Sequence, residues 1–202
     1  MSVLGELQPN KVFKYFEEIC SIPHGSRNLQ QISDYLVDFA KAHELKYRQD
    51  EDLNVIIWKD GSKGYEASEP VILQGHMDMV AVKEADCDKD MEKEGLDLEI
   101  NGDYISAKGT SLGGDDGIAV AYTLAVLDDE EMAHPPIEAI FTVNEEIGML
   151  GAATIDVSDL KGRLFMNMDS EDEGVFTVSC AGGASVICKI PYETETVNSS
   201  VI

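Results

Sequence analysis

Short apolar runs of strand length alternate along this chain with amphipathic stretches of helical period, and that alternation limits the fold to an α/β arrangement. Residues 9–22 place Val12, Phe13, Phe16 and Ile19 on one helical face, and residues 29–45 repeat the pattern with Ile32, Leu36 and Phe39. Strands are expected over 53–58, 70–73, 137–143 and 163–168. A hairpin is expected where 96–100 and 104–107 flank Asn101-Gly102. An Ala- and Val-rich segment, 118–127, reads as a buried helix, and a helical turn is expected around 154–160. The arrangement predicted is an α/β sandwich with a largely parallel central sheet and a local antiparallel hairpin.

Four segments end their apolar runs with metal-binding side chains: Gly75-His76-Met77-Asp78, Gly114-Asp115-Asp116, Asn144-Glu145-Glu146 and Asn167-Met168-Asp169. His76, Glu145, Glu146 and Asp169 each follow the carboxyl end of an expected strand, the edge at which open α/β sheets bind ligands. Asp115 and Asp116 precede a helix, where their charge also suits the positive end of the helix dipole. Imidazole with several carboxylates is the donor set that divalent ions need to activate water at neutral pH. If the strand continues, His76 and Asp78 point to one side, the carboxylate behind the ring. The adjacent Glu145 and Glu146 point differently, so that one can bind metal while the other takes a proton from water. Each motif alone is common on ordinary surfaces; the combination is specific.

Of the 202 residues 44% are hydrophobic and no apolar run approaches a bilayer span, so the expectation is a globular chain without a membrane partner. A net charge of −24 argues against nucleic acid, whose phosphates need clustered Lys and Arg. The first residues carry no signal-peptide pattern, and a cytoplasmic setting is expected. Cys20, Cys87, Cys180 and Cys188 are scattered, with no CxxC pair, and read as buried thiols. Gly109-Thr110-Ser111-Leu112-Gly113 fits the nucleophile elbow of a serine hydrolase, but the only later histidine, His134, lies beside two prolines and makes a poor base. Asp86, Asp88 and Asp90 imitate an EF-hand loop without its glycine and glutamate. His24, His43 and His134 read as surface or capping residues.

The motifs GHMDMV, NGDYISAKGTSLGGDDGIAVA, NEEIGMLGA and NMDSEDEG, in this order, resemble those of the zinc-dependent M20 metallopeptidases, and most of all the cytosolic aminoacyl-histidine dipeptidases. The resemblance runs from about Leu7 to about Tyr192. It implies a three-layer α/β/α sandwich with a mostly parallel sheet, and hydrolysis of dipeptides by water activated at two zinc ions, with Co2+ or Mn2+ as possible substitutes. His76 and Asp169 would bind one zinc, Glu146 the other, and Asp115 would bridge them. Asp78 would orient His76 and Glu145 would be the general base. A cis peptide is implied between Asp115 and Asp116. Gly114 and Asp116 depart from the Ala and Asn expected there.

Relatives of this type are more than twice as long, with an inserted lid or dimerisation domain and a later histidine ligand. The expectation is therefore that residues 1–185 form the N-terminal part of a catalytic domain, with 186–202 the start of the insertion or a disordered tail. A homodimer is implied only for a full-length protein. The site is expected to be built but incomplete, binding one metal weakly with little turnover. The alternatives are a non-catalytic metal-binding or interaction module, or half of a split enzyme.

Overall fold

A computed structural model describes residues 2–170, 174–179, 182–184 and 186–194. Residues 171–173 of the fourth motif, Cys180 and the tail from 195 lie outside the described residues. The chain divides into two units, Met1–Ser170 and Glu171–Ile202. The described residues of the second unit form no helix or strand.

In the first unit, α1 (Asn10–Cys20) buries Val12, Tyr15, Phe16 and Ile19, and α2 (Gln30–Ala42) buries Ile32, Leu36 and Phe39, as their periodicity predicts. The strands are β1 (Lys46–Gln49), β2 (Val55–Lys59), β3 (Val71–His76), the hairpin β4 (Leu98–Asn101) and β5 (Tyr104–Ala107), β6 (Ile137–Thr142) and β7 (Leu164–Asn167). Between them lie α3 (Gly114–Leu127) and the single-turn α4 (Leu150–Thr154).

The five-stranded sheet has the order β1-β2-β6-β3-β7. It is mixed rather than mostly parallel: β3 pairs parallel with β6 and β7, while β2 pairs antiparallel with β1 and β6. For β1 and β2 the reason is local. A tight turn, with Leu53 N–H donating to Asp50 O, joins β1 to β2 and permits only an antiparallel pair; the parallel pairs have the long crossovers that such pairing needs.

One face of the sheet, with Val55, Ile57, Leu73, Ala139 and Phe141, shares the main core with α1, α2 and α3. Burying Phe141 completely stabilises this packing by about 2–3 kcal/mol. Among the described residues, the buried hydrophobic side chains of the opposite face are Ile56, Ile72 and Ile140, packed with Trp58 of β2 and with Ile155 and Leu160. Among the described residues, the segment after α4 supplies the apolar cover of this face. Gly75 lets α3 lie close to β3, because a Cβ there would stand 2.9 Å from both the Ala119 Cβ and an Asp116 oxygen.

Candidate metal centre

The carboxyl ends of β3, β6 and β7 and the start of α3 meet at one edge of the sheet. His76 is the last residue of β3 and is 1% exposed. Its Nε2 lies 3.0 Å from Asp115 Oδ1 and 3.9 Å from Glu145 Oε2. His76, Asp115 and Glu146 each offer a donor atom within 4.8 Å of the others, the one such group that could hold a metal ion among the described residues. One imidazole nitrogen and two carboxylates fit the donor preferences of zinc. The Asp115 side chain remains 69% exposed, so the cluster opens to solvent. Asp169, exposed and just beyond β7, is not in this group. It is near enough for its charge to raise the pKa of Asp116 and Glu145.

Asp78 stands behind the ring, and its backbone carbonyl is the nearer partner: His76 Nδ1 is 3.0 Å from Asp78 O and 3.4 Å from Asp78 Oδ1. The buried Asp78 carboxylate also accepts Glu145 N–H at 3.0 Å and the Ser26 hydroxyl at 2.8 Å. It therefore ties the imidazole to the Glu145 loop. Asp116 is 1% exposed, follows a cis peptide bond, and accepts His76 N–H at 3.1 Å. As an acidic residue in a buried position it places a further negative charge directly beneath His76.

These contacts set the protonation pattern. Burial alone would lower the His76 pKa, but the Asp78 hydrogen bond and the Asp116 charge outweigh it and raise the ring to about 9. Burial, with Asp169 and Asp115, pushes Asp116 up to about 7 against the pull of His76. Burial and neighbouring carboxylates also raise Glu145 and Glu146. For Asp78, burial is overcome by hydrogen bonds from His76, Glu145 and Ser26, and its pKa is lowered. A cluster that holds protons this way favours a divalent cation in their place.

A polar layer beneath the ligands was not foreseen from the sequence. Gln74 Nε2 donates to Thr142 Oγ1 at 3.2 Å and Gln74 Oε1 accepts Asn167 Nδ2 at 2.6 Å, linking β6, β3 and β7. Gln74 and Asn167 stand two residues before His76 and Asp169, and that spacing of polar residues inside apolar strands was the available signal.

The other candidates have structural places. Ser111 Oγ donates to Val80 O at 2.6 Å, pinning a loop. His43 caps α2 and stacks on Phe39. His24 and His134 are buried rather than on the surface, each with Nδ1 against a backbone carbonyl, of Ile22 and Pro135 respectively.

No protein-family model matches the chain. It is 39% identical over 197 residues to the cytosol non-specific dipeptidase of Escherichia coli, an alignment covering 98% of this chain and 41% of that protein. The aminoacylhistidine dipeptidase from Vibrio alginolyticus superposes with a TM-score of 0.82 at 40% identity, over 85% of this chain and 35% of that one. A tripeptidase from Staphylococcus aureus, at 23% identity and a TM-score of 0.68 over 83% of this chain and 45% of its own, shares the fold. The chain thus spans about two fifths of the length of the Escherichia coli dipeptidase. Its sequence along nearly its whole length and the fold of its first unit place the chain in the M20 metallopeptidase family, among relatives of the aminoacyl-histidine and non-specific dipeptidases.

Proposed function

We propose that this chain carries the metal-binding part of a cytoplasmic, zinc-dependent dipeptidase acting on aminoacyl-histidine substrates. The observation that carries the reading is the convergence of His76, Asp115 and Glu146, with Glu145 3.9 Å from the ring. His76, Asp115 and Glu146 would hold zinc, with Asp169 as a further ligand and Asp115 shared between two ions in a complete site. Bound zinc supplies a Lewis acid that lowers the pKa of water and polarises the scissile carbonyl. Glu145 would take a proton from the attacking water and return it to the leaving amine, a task its raised pKa supports. Asp78 orients His76 and, through Glu145 N–H, holds the base in register with it.

The test is hydrolysis of an aminoacyl-histidine dipeptide with added zinc and with a chelator. With the site incomplete, the account predicts slow, chelator-sensitive cleavage that Glu145→Ala reduces by about 100-fold or more while zinc affinity stays within about threefold. Full activity in Glu145→Ala would remove the base role. A second reading, a metal-binding module that acts with a partner chain, is favoured by the edge strand β7, where Leu164 and Phe165 are 60% and 55% exposed. Zinc binding without turnover would select it.

A further inference from the structure

We propose that the buried side chain of Asn54, seated against Gly151, clamps the base of the loop that carries Glu145 and Glu146 and so positions both carboxylates against His76; the proposal rests on the metal-site reading above. Asn54 stands immediately before β2 and is 1% exposed. A primary amide at the head of an apolar run is costly to bury unless its polar atoms are partnered. Its oxygen and its amide nitrogen both are. Oδ1 accepts Val143 N–H at 3.1 Å, and Nδ2 donates to Asp50 Oδ2 at 2.8 Å and to the Gly151 carbonyl at 3.3 Å. Asp50 also accepts Asn54 N–H at 2.8 Å and donates its own N–H to Asn54 O at 3.0 Å, which fixes the direction of the amide.

Val143 and Gly151 are the two ends of that loop, the first directly after β6 and the second inside α4. The ends also bond each other: Gly151 N–H donates to Val143 O at 2.9 Å, and Leu150 N–H to Asn144 O at 3.1 Å. Within the loop, the N–H groups of Gly148 and Met149 both donate to Glu145 O at 2.8 Å. Asn144 and Met149 take φ values of 53° and 55°, left-handed conformations that a side chain disfavours and that persist where the surroundings hold them. The fit at Gly151 leaves no room for a side chain. A Cβ there would clash with Asn54 Oδ1 and stand 2.6 Å from Val143 O, so glycine is what lets the amide come this close.

The bond from Glu145 N–H to Asp78 anchors the loop at one point on the His76 side. Asn54 supplies a second anchor from the β1–β2 turn, at the loop's base. With both in place, the backbone from which Glu145 and Glu146 project cannot swing away from the ring, and small displacements of such groups are what a metal site tolerates least. The hydrogen bonds of Asn54 reach Asp50, Val143 and Gly151, not His76, Asp115, Glu145 or Glu146. It is therefore a positioning residue, acting on the cluster through the loop.

The experiment compares the full chain with Asn54→Ala and with Val12→Ala, a core truncation in α1, where the neighbouring Lys11 reaches Asp128 O at the far end of α3. Amide hydrogen exchange is measured without metal, and zinc affinity by competition with a chromophoric chelator. In Asn54→Ala the expected result is exchange about tenfold or more faster at Gly148, Met149 and Leu150, relative to the amides of β3, and zinc affinity about tenfold lower. In a Glu146→Gln background the same substitution should change zinc affinity by less than about twofold, because the clamp acts through that ligand. Asn54→Asp keeps the acceptor for Val143 N–H and loses the donor to Gly151; it should show both changes in smaller measure, and it decides the matter if Asn54→Ala does not fold. Unchanged loop exchange, an equal loss of zinc affinity with and without Glu146, or the same two changes in Val12→Ala would overturn the clamp. A wild-type chain that binds no zinc, with the loop still opening in Asn54→Ala, would instead sink the metal reading and leave the clamp standing.

Discussion

Zinc should compete with a proton at His76. The ring is 1% exposed, and the Asp78 hydrogen bond with the Asp116 charge raises its pKa to about 9 against the effect of burial. In the metal-free chain at pH 7, only about one molecule in a hundred then has the neutral imidazole that zinc requires, a penalty of about 2.7 kcal/mol. The apparent zinc association constant should therefore rise about tenfold per pH unit between about pH 6.5 and 8.5. Titration calorimetry in two buffers of different ionisation enthalpy should find about one proton released per zinc from His76, with a further fraction from Asp116, whose pKa is about 7. The same shift sets the stability of the metal-free chain. Because the folded pKa lies above the ordinary 6.5, the stabilisation is fully present below pH 6.5 and is lost as pH rises towards about 9, a change of about 3 kcal/mol. Asp116→Asn removes one charge that raises His76 and should move the whole profile to lower pH. A zinc affinity that is flat from pH 6.5 to 8.5, with no proton released, would refute the protonation pattern.

Two further perturbations test the scaffold that positions the cluster. The Glu138 carboxylate, 3% exposed, accepts the backbone N–H groups of Lys161 at 3.0 Å and Gly162 at 2.8 Å ahead of β7. Glu138→Ala should cost about 2–4 kcal/mol in urea denaturation, and a loss below about 0.5 kcal/mol would contradict that role. Gln74→Leu removes the link between Thr142 and Asn167; zinc affinity measured by competition with a chromophoric chelator should fall about tenfold, and an unchanged value would show that this polar layer does not position the ligands.

The positions of the candidate ligands were legible because each apolar run ends in a polar group, and a strand delivers its last residue to one edge of the sheet. That logic located His76 at the end of β3 and Asp115 in the first turn of α3. The strand β1 was not legible: Lys46-Tyr47-Arg48-Gln49 has no apolar alternation. It forms by pairing with β2, with Lys46 and Arg48 over the Trp58 ring. The helical turn expected around 154–160 lies earlier: α4 ends at Thr154, and Ile155 and Leu160 pack on the second sheet face from irregular backbone. Strand direction was also hidden, since a run of Val and Ile reads alike in a parallel and an antiparallel pair. The burial of His24 depends on backbone partners that sequence spacing does not reveal. Nor does spacing show that Asp78 meets His76 more closely through its carbonyl than through its carboxylate.

The central claim is that His76, Asp115 and Glu146 form one metal site, and X-ray absorption at the zinc edge of the zinc-loaded chain tests it most directly. The account predicts bound zinc with one imidazole among oxygen donors, a histidine signal that disappears in His76→Ala, and loss of zinc in Asp115→Ala. A chain that binds no zinc at micromolar concentration, or a zinc spectrum unchanged by His76→Ala, would contradict it.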